Sequence, residues 1–96
     1  NPAWASSAAV ADQRLTVSST AIAFQTAFNA STDFVVLDVQ GADVMCTFDG
    51  SAPTTTNGHR LYDGSHYTWS RGTASQAQFI RQAGADAAIH ASEFQI

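Results

Sequence analysis

The sequence predicts an all-β protein, an antiparallel β-sandwich or jelly roll of seven or eight short strands, and three observations carry that expectation. Apolar residues recur two apart in short segments, as in Leu15 and Val17, Ile22 and Phe24, or Val44, Cys46 and Phe48, the period of a half-buried strand. Clusters of turn-forming residues separate these segments at roughly ten-residue spacing, as in sandwiches. The intervals are too short for parallel crossovers, which need about a dozen residues or more and usually a helix.

The 96 residues suit one domain with a single modest core, and an apolar fraction of 45% beside 12% charged residues excludes a disordered chain. Residues 1–12 are rich in small side chains and lack a sustained period, so they read as an N-terminal arm ahead of a sandwich domain at 13–96. Trp4 within the arm carries a large apolar area and must fold back or anchor on a neighbour.

From Gln13 the strands follow in order. Leu15 and Val17 form one, the Ser18-Ser19-Thr20 break ends it, Ile22 and Phe24 start another, and Phe28 plugs one end. The segment Phe34-Val35-Val36-Leu37-Asp38-Val39 is apolar on both faces, which suits a central strand. After Gly41-Ala42-Asp43 turns the chain, Val44, Cys46 and Phe48 face one way and Met45 and Thr47 the other.

The run Asp49-Gly50-Ser51-Ala52-Pro53-Thr54-Thr55-Thr56-Asn57-Gly58-His59 then reads as an elaborate chain reversal. Asp-Gly permits positive φ, Ser and Asn bond their own backbone, and Pro53 fixes φ and gives up a donor. Asp63-Gly64, between Arg60-Leu61-Tyr62 and His66-Tyr67-Thr68-Trp69, is a strong local hairpin signal. A helical turn near 73–78, capped by Thr73 or Ser75, precedes Phe79-Ile80-Arg81. The turn Gly84-Ala85-Asp86 leads into a last strand in which Ala87, Ile89 and Ala91 alternate with Ala88, His90 and Ser92.

Charge narrows the functional classes. Arg14, Arg60, Arg71 and Arg81 are scattered singly, there is no lysine, and the net charge is −4, so no basic face for nucleic acid is expected. Lysine commonly blunts exposed sheet edges, and its absence suits a β protein whose edges are covered by partners. Cys46 is the single cysteine and cannot form an intrachain disulfide; a small core without one points to oligomerisation, as a dimer or trimer. Its alternation with Val44 and Phe48 makes it a buried, inert thiol. No run approaches the ~18 apolar residues of a membrane span, and the chain reads as soluble.

No residue set reads as a catalytic, cofactor or metal site. Asp43, Asp49, Ser51 and Asp63 match no compact calcium loop and read as turn residues, with Asp49 accepting bonds from its own loop. His59, His66 and His90 are too dispersed for a zinc pattern, and no nucleophile elbow supports a triad. Tyr62, Tyr67 and Trp69 invite a sugar-binding platform, but Tyr67 and Trp69 share a face that is expected to pack as core.

Four further stretches belong together: Thr47-Phe48-Asp49-Gly50-Ser51-Ala52-Pro53-Thr54, Asn57-Gly58-His59-Arg60-Leu61, Phe79-Ile80-Arg81, and Asp86-Ala87-Ala88-Ile89-His90-Ala91-Ser92-Glu93-Phe94. In that order they resemble a group of small tailed-bacteriophage virion proteins. The resemblance covers Val44 to Phe94 and hardly touches the first forty residues. The Asp-Gly-Ser-x-Pro-Thr element by itself also resembles a loop of immunoglobulin-like appendage domains in carbohydrate-active enzymes. What the phage resemblance implies is a nonenzymatic β module on a virion, assembled in the host cytoplasm, with the major capsid protein or other virion proteins as partners. It implies a capsid decoration, or cement, protein, with a tail, adaptor or head-to-tail connector component as the alternative. Contacts are expected from the arm at Trp4 and from the loop and its surroundings: Asp49, Ser51, Pro53, His59, Arg60, Tyr62 and Trp69.

Overall fold

Two four-stranded sheets face each other in the computed structural model, which describes residues 8–96. The strands are β1 (Ala8–Val17), β2 (Ile22–Ala23), β3 (Phe34–Gln40), β4 (Val44–Thr47), β5 (His59–Leu61), β6 (His66–Ser70), β7 (Gln78–Arg81) and β8 (Ala87–Gln95), with one short helix, α1 (Arg71–Gln76), between β6 and β7. One sheet has the order β1-β8-β3-β6 and the other β2-β7-β4-β5, with every pairing antiparallel. Each connection crosses to the opposite sheet except that between β4 and β5. This is the strand order of an eight-stranded jelly roll, within the all-β class expected from the alternation.

Alternation also places the core. Val35, Leu37 and Val39 of β3 are fully buried, and so are Val17, Val44, Cys46, Phe79 and Ile89 from the strands around them. Central β3 presents Phe34 and Val36 on its other face, where Phe34 stacks on its cross-strand neighbour Phe94 with centroids 5.2 Å apart. Phe28 packs at the margin of the core, edge-on to Phe24, which in turn meets Phe79 edge-on. Burial pushes the Cys46 thiol up to about 12, as desolvation disfavours its anion.

Three local expectations are corrected. Ala8–Asp12, taken as part of an arm, pairs with β8 as a strand; its alanines carry too little apolar signal to reveal a period, and pairing is supplied by the neighbouring strand. Trp4 lies outside the described residues. Asp63-Gly64 turns the chain from one sheet to the other, because β5 pairs with β4 while β6 pairs with β3. A turn dipeptide specifies reversal, not which sheet receives the next strand. The helix starts two residues early and is capped by Ser70, whose hydroxyl accepts from the Thr73 amide at 3.2 Å.

Antiparallel order sorts the connections by end. At one end lie the short turns β1–β2, β3–β4, β5–β6 and β7–β8. At the other lie the longer β2–β3 and β4–β5 loops and α1.

Candidate interaction site at the long-loop end

The Asp49–Gly58 segment is the loop of the β4–β5 hairpin, and its turn chemistry accounts for its shape. Asp49 Oδ1 accepts from the Ser51 hydroxyl at 2.5 Å and the Ser51 amide at 3.0 Å, and these bonds, the hydroxyl first, hold the Asp49 carboxyl below the usual carboxylate range. Thr54 Oγ1 accepts from the Asn57 amide at 3.0 Å, while the Thr54 amide donates to the Asn57 carbonyl at 3.0 Å. Pro53 is buried beneath this second turn.

Anchors tie the loop to the sandwich. The Gly50 amide donates to the Gln76 carbonyl at the end of α1 at 3.1 Å, and Gln78 Nε2 donates to the Gly50 carbonyl at 2.6 Å. Thr47 Oγ1 donates to the Ser51 carbonyl. At the far side of the loop Gly58 has φ +143°, and a Cβ there would stand 2.9 Å from the Cys46 carbonyl oxygen. Only glycine lets the returning chain lie this close to β4.

Between the two limbs opens a shallow cavity of about 520 Å³, lined among others by Thr47, Phe48, Asp49, Ser51, Asn57 and His59. It has an apolar floor and a polar rim. Phe48 forms the floor, with its ring 5.3 Å from the His59 ring and edge-on to Trp69 at 5.0 Å. A second cavity of about 490 Å³ lies at the same end between the β2–β3 loop and α1, with Phe24, Phe28 and Arg71 in its walls.

The residues named from the sequence divide into three groups. Asp49, Ser51 and His59 line one cavity, with Pro53 buried under the same loop. Arg60 points away from them: its Nε and Nη2 donate to Asp43 Oδ2 at 2.9 and 2.6 Å, and its guanidinium lies 5.5 Å from the ring centre of exposed Tyr62. Trp69 faces inward with Tyr67 and stacks on Phe79, interplanar angle 6°, so it serves the core and not an exposed platform. Among the described residues no three His, Cys, Asp or Glu side chains come together in a way that would hold a metal ion.

Sequence reasoning missed Glu93. It lies on the inward parity of β8 after Ala87, Ile89 and Ala91 and is only 3% exposed. Its Oε1 accepts from the Asn29 amide and the Thr32 hydroxyl, each at 2.7 Å, and so pins the β2–β3 loop to the last strand. The period-2 count that placed Ala87, Ile89 and Ala91 inside reaches Glu93 as well. A carboxylate on a buried parity is the signal of a loop anchor.

No protein-family model, curated protein or solved structure matches the chain.

Proposed function

We propose that this chain is a structural component of a bacteriophage particle, a capsid decoration protein that stabilises the shell through the area it buries on neighbouring subunits. The strand order carries the reading: the eight-stranded jelly roll is an architecture shared by viral capsid domains, lectin domains and cupins. Its residues from Val44 to Phe94 resemble small phage virion proteins, which favours the first of these. Trp69, the best ring for stacking on a sugar, is spent on Phe79 and Phe48, which weighs against the second.

Three groups that bond chemistry could call on are engaged in structure. The Cys46 thiol is buried and held protonated, and the Asp43 and Asp49 carboxylates are occupied by hydrogen bonds that lower their basicity. What the molecule offers a partner is a stiff body with a shaped long-loop end. Contact through that end, repeated over many copies, would stabilise a shell by mass action.

Two measurements test the proposal. Quantitative mass spectrometry of purified particles gives the copy number: many copies over the shell fit decoration, whereas a few at one vertex fit a tail, adaptor or connector component. Particles stripped of the protein should lose heat and osmotic resistance. Unchanged resistance would sink the cementing role.

A further inference from the structure

The sandwich has four edges, and they are unequal. β2 and β5 are two and three residues long, the short edges by which proteins avoid unwanted pairing. β6 has five residues, and β1 has ten. β1 holds neither lysine nor proline and is exposed along most of its length. One side of it pairs with β8 throughout, and among the described residues no backbone–backbone hydrogen bond outside β8 reaches it; the Gln13 side chain is engaged elsewhere, with the Thr26 amide and carbonyl of the β2–β3 loop at 3.3 and 3.0 Å. A register shift between Ala9 and Ala11 bends only its start, which leaves Ala11–Val17 regular.

Two charges mark this regular stretch. Asp12 and Arg14 stand two apart on the outer face, opposite Ser92 and His90 of β8. Arg14 donates from Nη1 to the neutral Gln40 amide oxygen at 3.0 Å, and among the described residues no carboxylate lies within ion-pair distance of it. The Asp12 side chain holds His90 Nε2 at 3.1 Å yet remains 67% exposed. Within one strand these two charges lie too far apart to pair well. Directly opposite residues of an antiparallel pair, in contrast, bring their Cβ atoms to about 4.5–5.5 Å.

We infer that β1 is a self-pairing edge: two copies of this chain join antiparallel through β1 about a two-fold axis at Gln13. That register sets Asp12 of each copy opposite Arg14 of the other, twice, and faces Ala11 with Leu15 of the second copy. A two-fold contact of this kind is closed, so it yields a dimer and not a fibre. The two β1-β8-β3-β6 sheets become one continuous eight-stranded sheet, and both long-loop ends stay free for other contacts.

Charge exchange tests the register itself. The whole chain, its D12R and R14D variants and the D12R/R14D double variant are each measured by sedimentation equilibrium, with circular dichroism and thermal melting to show that each is folded. The wild type should dimerise reversibly, and each single variant, which sets like charges opposite each other, should dimerise about tenfold more weakly or worse. An equimolar mixture of D12R with R14D should form a heterodimer near wild-type strength, and the double variant should dimerise with itself. A monomeric wild type at its highest soluble concentration would overturn the inference. So would single variants as tight as wild type, or a mixture no tighter than its components. These measurements use the free chain in buffer, so their outcome is separate from that of the particle tests.

Discussion

The two ends of the sandwich are held by different means. At the short-turn end the connections bond to one another. Asp43 in the β3–β4 turn accepts from Arg60 on β5 and from the Asp63 amide in the β5–β6 turn at 2.8 Å, and Asp63 Oδ1 accepts in turn from the Gly41 amide at 2.9 Å. The Gln82 amide donates to the Asp43 carbonyl at 3.1 Å, and Arg81 reaches Asp86 at 2.7 Å. At the long-loop end many bonds close within a single loop, as Asp49 with Ser51, Thr54 with Asn57, and Asn29 with Ser31. Anchors fix each of those loops to the strands and to α1, where Arg71 donates to the Ala30 and Asp33 carbonyls at 3.1 and 3.3 Å. The difference teaches where this protein can change: loop tips between anchors are insulated from the sandwich, whereas the short turns form one network.

The comparison breaks most severely at the anchors. Gly58→Ala places a Cβ 2.9 Å from a backbone oxygen of fully buried Cys46, at φ +143°. Neither the strand nor a stiff methyl can yield, so the expected loss is about 3 kcal/mol or more in denaturant unfolding. Gly50→Ala, in the same loop at φ +84° with nothing within 4 Å of the new Cβ, should cost only the left-handed strain of about 1–2 kcal/mol. Equal losses for the two would mean that the loop is not anchored at Gly58.

Glu93→Ala comes next. It orphans the Asn29 amide and the buried Thr32 hydroxyl, each of which loses a charge-assisted bond, at an expected cost of about 2–3 kcal/mol. Hydrogen exchange should rise first in the β2–β3 loop, around Asn29 to Asp33. Uniform acceleration across both ends would show that Glu93 supports the fold in general and not this loop.

Acid separates the ends in another way. The Asp63 amide and the Arg60 guanidinium, in that order, hold the Asp43 carboxyl below its ordinary value. A carboxyl depressed in the folded state contributes stability that is whole above its unfolded value, about 4, and is lost as pH falls from there through the folded value. Stability should therefore drop on acidification below about pH 4. Asp43→Asn should flatten that part of the curve, because the amide cannot titrate. If the variant keeps the full acid slope, other carboxylates carry it and the short-turn network is not what acid breaks.

Much of the fold was legible because alternation is written residue by residue. Central β3 and the inward set of β8 follow from where Val35, Leu37, Val39, Ala87, Ile89 and Ala91 stand. The crossing at Asp63-Gly64 was not legible. The Gly64 amide donates to the Val39 carbonyl and the Val39 amide to the Ser65 carbonyl, so partners about 25 residues away in sequence, of the kind that non-local topology supplies, decide which sheet receives β6. Of the site, the Asp49–Ser51 turn was readable because both partners are neighbours in sequence. The fit of Gly58 on Cys46 and the aim of Arg60 toward Asp43 were not, since each depends on strand register.

The smallest effect should come from Asp49→Ala, which sharpens the contrast with Asp43. Both carboxylates are held below their ordinary value by hydrogen bonds, but those of Asp49 come from Ser51, two residues away, while those of Asp43 come from Arg60 and Asp63 across two connections. A bond between neighbours orders a turn that is already short and adds little to the cooperative unit. Melting temperature should therefore move less in Asp49→Ala than in Asp43→Asn, and faster amide exchange should be confined to the loop from Asp49 to Gly58. The Gly50 bonds to Gln76 and Gln78 and the seat of Gly58 on β4 remain intact in this variant, and they set where the disturbance stops. Exchange that spreads past them into β4 or α1 would show that the loop tip and the sandwich unfold together, and the division between insulated tips and networked turns would fall.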